Sequence, residues 1–151
     1  MYYLTKYCIT EDDGKVDNKT ELEAIDDAAT ANWGSNWQTP DLEQFKELVN
    51  GEYTTTTWTD RNGFNGIKVI SKINGRSIFL PASGYCNEKG IEKGSKNTGF
   101  YYSRSLVPNV KSYGSTHAYF LKFDEDKYDP SSFKLFCRQN GTSVRPVRVK
   151  N

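Results

Sequence analysis

His117 is the only histidine among 151 residues. A metal site built from several imidazoles is therefore excluded within one chain. A Ser-His-Asp triad would need His117 as its base, yet no G-x-S-x-G elbow occurs to present a nucleophile. His117 stands at the start of a strand-like run and is read as a surface or half-buried side chain rather than a catalyst. The three thiols, Cys8, Cys86 and Cys137, form no C-x-x-C pair. An odd count leaves at least one free in a monomer, and both a Cys86–Cys137 bridge and three buried thiols stay open. "DEDKYD" (124–129) sets Asp124, Asp126 and Tyr128 at alternate positions. It lacks the sixth-position Gly and twelfth-position Glu of a calcium loop, so a solvated acidic turn is expected and no metal. Neither a Walker A loop nor G-x-G-x-x-G is present, and no cofactor is expected. Glu11-Asp12-Asp13 and Asp26-Asp27 read as solvated charges. Counting alone does not exclude a carboxylate pair of the kind that hydrolyses glycosides.

The rings say more. Phe100, Tyr101 and Tyr102 are consecutive, so both faces of one strand carry aromatics. Tyr119, Phe120 and Phe123 follow, then Tyr128, Phe133 and Phe136. Core packing claims some of them. A small domain cannot bury both faces of every strand, so others are expected on display. An exposed ring beside Arg, Ser or Asn suits stacking on a sugar or anchoring a protein. The mixture in 97–104 and 124–140 resembles an antibody paratope. The candidate ligand-binding residues are Tyr101, Arg104, Asp126, Tyr128, Phe133, Lys134, Phe136, Arg138 and Gln139. Segment 124–140 has no clean alternation and reads as a displayed surface. There, alanine at Lys134, Arg138 and Gln139 is expected to change stability by only about 0.5 kcal/mol each. The expected partner is an unknown glycan or protein.

The elements that must position these residues read as one α+β domain. Thr20 and Glu23 make a capping-box pattern, and Leu22, Ile25 and Ala29 recur at helical spacing, predicting a helix over 20–32. "NWQTPDLEQFKEL" predicts a second over 39–50. Thr39 would be its N-cap and Pro40 its first residue, with Leu42, Phe45, Leu48 and Val49 as the apolar face. Strand character takes over at "YTTTTW" (53–58). "DRNGFNG" (60–66) reads as a loop, and Asn74-Gly75 as a two-residue hairpin turn between 67–73 and 76–82. "GFYYSRS" (99–105) and "HAYFLKF" (117–123) are two more strands, while Pro146 places "GTSVRPVRV" at an edge. Helices first and strands afterwards argue against βαβ repetition. Trp37, Phe45, Leu48, Phe79, Leu80 and Val144 are expected in the core. Net charge is +1 with no basic block, which argues against nucleic acid. No apolar run reaches membrane-spanning length. "MYYLTKYCIT" is not a signal peptide, and residues 1–16 are expected to be a truncated start.

Three motifs taken together, "NWQTPDLEQFKEL", "INGRSIFLPASGY" and "GTSVRPVR", resemble the Fibrobacter succinogenes major paralogous domain, a family common in Bacteroidetes. The likeness runs from about Ala28 to Arg148. It implies a C-type-lectin-like fold, related to the formylglycine-generating-enzyme type and to retroelement variable proteins, with two helices packed on a twisted antiparallel sheet. It also implies an extracellular or cell-surface setting, and a ligand region by location at Asp124 to Asn140. The Glu-Pro-Asn and Trp-Asn-Asp calcium signatures of sugar-binding lectins are absent. Three readings follow: a non-catalytic binding or adhesion module, an enzyme (hydrolase or thiol-based oxidase) on the same fold, and a purely structural module.

Overall fold

The computed structural model describes residues 3–107, 114–125 and 133–149. Helix α1 spans Ala28–Trp33 and α2 spans Leu42–Leu48. The strands are β1 (Trp37–Gln38), β2 (Thr54–Arg61), β3 (Phe64–Ser71), β4 (Ser77–Pro81), β5 (Tyr85–Cys86) and β6 (Glu92–Lys93). They continue with β7 (Thr98–Leu106), β8 (His117–Asp124), β9 (Phe133–Cys137), β10 (Gly141–Thr142) and β11 (Val147–Arg148). They form four small sheets, ordered β2-β3-β4, β7-β8-β9, β10-β5-β6 and β1-β11. Every pairing of the named strands is antiparallel. The chain is thus mixed α and β, mostly antiparallel, with two helices among the described residues. β1 and β11, the first and last of the named strands, pair with each other, with Trp37 opposite Arg148.

Helix α1 is shorter than the 20–32 expected. Leu22 N–H donates to the Arg104 carbonyl at 2.9 Å, and Leu106 N–H to the Thr20 carbonyl at 2.7 Å. Residues 20–22 therefore lie along β7 as an extended partner. These long-range bonds outweigh a local helix preference of a few tenths of a kcal/mol per residue. Ile25, expected on the apolar face, is 81% exposed. The helix starts instead at Asp27, whose carboxylate accepts from Ala29 N–H at 2.8 Å.

Helix α2 begins two residues later than expected. Asp41 is its N-cap: the carboxylate accepts from Gln44 N–H at 2.7 Å, and the Gln44 side chain accepts from Asp41 N–H at 3.0 Å. That reciprocal box satisfies two otherwise orphan donors. Thr39 serves tertiary structure instead. It is buried, and both its N–H and its hydroxyl donate to Asp27, at 2.8 and 2.7 Å. One carboxylate thus ties the start of α1 to the approach to α2.

The core lies between α2, the β2-β3-β4 sheet and one face of β7-β8-β9. Phe45, Ile67, Leu80, Leu121 and Phe123 are almost wholly enclosed, with Trp58 edge-on to Phe123. Trp37 and Val144, expected there, are exposed: Trp37 sits on the two-residue strand β1, and Val144 in the unpaired segment between the Ser143 bridge and β11. The other face of β7-β8-β9 is covered too. Phe100, Phe120 and Phe136 cluster with Tyr102, and Tyr85 from β5 packs on them at 4.8–4.9 Å. Both faces carry rings, as the sequence implied, but neither is a bare aromatic surface.

Candidate functional site

The β2–β3 connection builds one wall. Residues 60–66, expected as a loop, are a hairpin: Arg61 pairs with Phe64 across Asn62-Gly63, both at positive φ (55° and 80°). Two positive-φ residues make the tight turn whose twist matches paired strands. Asn74 has no positive φ, so the expected two-residue turn there is a longer loop closed by Gly75.

The alternation of β3 and β4 then sorts the side chains. Ile67 and Val69, with Ile78 and Leu80 opposite, face the core. Phe64, Gly66, Phe79 and Pro81 occupy the outer face. A Cβ at Gly66 would stand 2.2 Å from the Leu80 carbonyl oxygen and 2.8 Å from Cζ of Phe79. The missing side chain lets the Phe79 ring lie against the strand backbone.

The opposite wall is the segment between β10 and β11. Ser143 bridges Tyr101 of β7, and its N–H donates to the Phe100 carbonyl at 3.2 Å. The Ser143 and Ser83 hydroxyls meet at 2.5 Å. The Tyr101 hydroxyl donates to the Pro81 carbonyl at 2.8 Å, pinning the two walls at their base. Burial pushes the Tyr101 phenol up to about 12, against the Ser143 and Ser83 hydrogen bonds and the Arg145 charge, which pull it down. It is a neutral donor across the physiological range.

Between the walls lies a cleft of about 450 Å³, lined by Phe64, Phe79, Leu80, Pro81, Ser83, Tyr101, Ser143, Val144 and Arg145. That volume lies within the usual range for small-molecule sites. Phe64 is 62% exposed at its rim. Rings, two serine hydroxyls, the Tyr101 phenol and one guanidinium give an apolar platform with few polar anchors. Among the described residues no imidazole or carboxylate lines it.

No family model, curated protein or solved structure matches the chain.

The structure disperses the residues singled out from the sequence. Tyr101 reaches the cleft, but at 3% exposure it is a core residue and not a displayed ring. Arg104 turns away at a register shift in β7 and pairs with Glu21 at 2.9 Å. Phe136 belongs to the covered aromatic cluster. Arg138 donates to the carbonyls of Tyr7 (3.0 Å) and Ser115 (2.7 Å) and lies over the Tyr7 ring. It is a structural clamp between the N-terminal segment and the β8 entry, so the neutral alanine substitution expected for it does not fit. Gln139 is exposed and donates to Glu88 at 2.9 Å. Asp126, Tyr128 and the side chain of Lys134 lie outside the described residues. Residues 133–137, read as part of a displayed stretch, form β9 beside β8.

Phe133 packs partly on the core and also lines a second hollow, of about 810 Å³, with Glu43, Lys46, Glu47, Val49, Asn50, Gly51 and Tyr53. Most of these are exposed, and Glu43 is paired with Lys46 at 2.6 Å. This is a broad surface depression over the end of α2. All three cysteines are free thiols; Cys8 is buried, Cys137 half-buried and Cys86 exposed, so neither expected cysteine arrangement holds.

Phe64, Ser83, Ser143 and Arg145 escaped the sequence reading, and Phe79, expected in the core, lies on the outer face of β4 instead. Their signal was Asn62-Gly63 between strand-like runs, which marks a hairpin and so an outer face for Phe64. The conjunction of that face with Ser143 and Arg145 is a product of tertiary pairing.

Proposed function

We propose that this chain is a non-catalytic ligand-binding module of a bacterial surface or secreted protein. We take it as a C-type-lectin-like domain of the Fibrobacter succinogenes major paralogous kind. Two of the motifs that carry the resemblance contribute walls of the cleft: "SIFLPASGY" supplies Phe79, Pro81 and Ser83, and "SVRPVR" supplies Ser143 and Arg145. The observation that carries the reading is the exposed Phe64 ring beside Phe79, with the two serine hydroxyls and Arg145 at the same opening.

A glycan is the ligand class this supports best. The apolar face of a pyranose stacks on an exposed ring, while hydroxyl and guanidinium groups meet its hydroxyls.

The test is an array of glycans and proteins, followed by titration calorimetry of the hits. Phe64→Ala should weaken a cleft ligand by about tenfold or more, as loss of an aromatic anchor does. Its thermal unfolding should shift little, since the ring is mostly exposed. Arg145→Ala should weaken the same ligand. Undiminished binding in both variants, or no hit on the array, would sink the proposal.

A further inference from the structure

Cys137 and His117 are cross-strand partners at the junction of β9 and β8. The Cys137 Sγ lies 3.3 Å from His117 Nε2. On the other side of the ring, His117 Nδ1 lies 2.9 Å from the Thr116 hydroxyl. A thiol, a base and a group that orients the base stand in a row, the arrangement that activates a nucleophile. In the tautomer that carries the ring proton on Nδ1, that N–H donates to Thr116 Oγ1 and Nε2 is an acceptor within reach of the thiol proton.

The other two thiols lack this. Cys8 is fully buried and its Sγ–H donates to the Thr10 carbonyl at 3.1 Å. Cys86 is exposed on the short strand β5, between Gly141 of β10 and Glu92 of β6, with no imidazole beside it. Cys137 itself is half-buried, between these extremes. A half-buried thiol favours a reactant the size of water over a bulky electrophile.

We propose that Cys137 is a hydroperoxide-reactive thiol with His117 as its base. The imidazole Nε2 takes the S–H proton, and the sulfur attacks one oxygen of hydrogen peroxide. The S–O bond forms as the O–O bond breaks. The leaving hydroxide takes the proton back from the imidazolium and departs as water. Sulfur is oxidised by two electrons to a sulfenic acid, and the peroxide is reduced by two. This oxidation is separate from the cleft, none of whose lining residues it uses.

The experiment exposes the full chain to hydrogen peroxide at pH 7 with a cyclic 1,3-dione that traps sulfenic acid, and follows each cysteine peptide by mass spectrometry. Cys86 is the internal reference, being more exposed but without an imidazole. An unassisted thiol is only a few per cent ionised at pH 7, so a base in reach should label Cys137 roughly tenfold faster than Cys86. His117→Gln should bring the two rates together while circular dichroism stays unchanged. Equal or faster labelling of Cys86 in the natural chain overturns the proposal. So does a folded His117→Gln that still labels at the natural rate. Should His117→Gln fail to fold, the ratio within the natural chain decides alone.

Discussion

Replacing Asp27 with Ala removes the acceptor of three hydrogen bonds at a site only 2% exposed: from Ala29 N–H, Thr39 N–H and the Thr39 hydroxyl. Each buried donor left without a partner costs about 1–3 kcal/mol. The hydroxyl can turn to another acceptor, and water can enter the space left by the carboxylate, so the three do not simply add. The expected loss is about 3–5 kcal/mol, a large share of the 5–15 kcal/mol typical of a domain. Asp27→Asn separates chemistry from shape. In either orientation its amide nitrogen faces one backbone N–H, Ala29 or Thr39, and only the hydroxyl can reverse its role. One backbone donor is therefore lost, and the expected cost is about 1–3 kcal/mol. Urea unfolding followed by tryptophan fluorescence and circular dichroism measures both, with an unchanged m-value as the check that the same transition is seen. A loss below about 1 kcal/mol in Asp27→Ala, or an Asn variant worse than the Ala variant, would refute the claim that this carboxylate joins the two helix starts.

Phe45→Ala should lose about 3–5 kcal/mol by chemical denaturation, since the ring is 1% exposed at the centre of the core. Arg138→Ala should lose about 2–4 kcal/mol, because two carbonyls forfeit a charged donor; a change within about 0.5 kcal/mol would return Arg138 to the free surface. Alkali should destabilise the fold from about pH 10 upward. Burial holds the folded Tyr101 phenol protonated until about 12, while the unfolded phenol ionises near its ordinary value of 10.0. The folded state then binds more protons than the unfolded, so stability falls with rising pH by roughly 2 kcal/mol. Tyr102 is also pushed up by burial and adds to the fall. Unfolding midpoints at pH 9 and 11 check this, and Tyr101→Phe should flatten part of the slope.

Much of the architecture was legible where local signals and tertiary structure agree. The α2 apolar face, the strands over 54–58, 67–71, 77–81, 99–105 and 117–123, and the antiparallel class follow from periodicity and turn chemistry. The failures share one cause. Residues 20–27 carry a capping-box pattern and helical spacing, yet residues 20–22 are held extended by bonds to Arg104 and Leu106. Thr39-Pro40 looks like a helix start, yet Thr39 is committed to Asp27, twelve residues away, and the cap passes to Asp41. In each case a polar group had two partners within its chemistry, one local and one distant, and the sequence displays only the local one.

The site was less legible for a related reason. Mixed composition in 124–140 suggested display, since a core strand should alternate. Within that stretch, however, Phe136 joins the rings of Phe100 and Phe120, and Arg138 carries its charge inward to two backbone carbonyls. A guanidinium with a carbonyl at each hand is as well satisfied as one in solvent, so polarity alone does not distinguish clamp from surface. Cys137 and His117 make the same point for reactivity. Twenty residues separate them, no motif spans the gap, and the antiparallel register of β8 with β9 alone brings sulfur within 3.3 Å of the imidazole. In the cleft, likewise, Phe64 and Arg145 are ordinary surface types, and their placement at one opening depends on the Asn62-Gly63 turn and on the bridge between Ser143 and Tyr101. The proposed binding site is a product of pairings between strands, so substitutions that loosen either pairing should weaken binding there even where they touch no ligand.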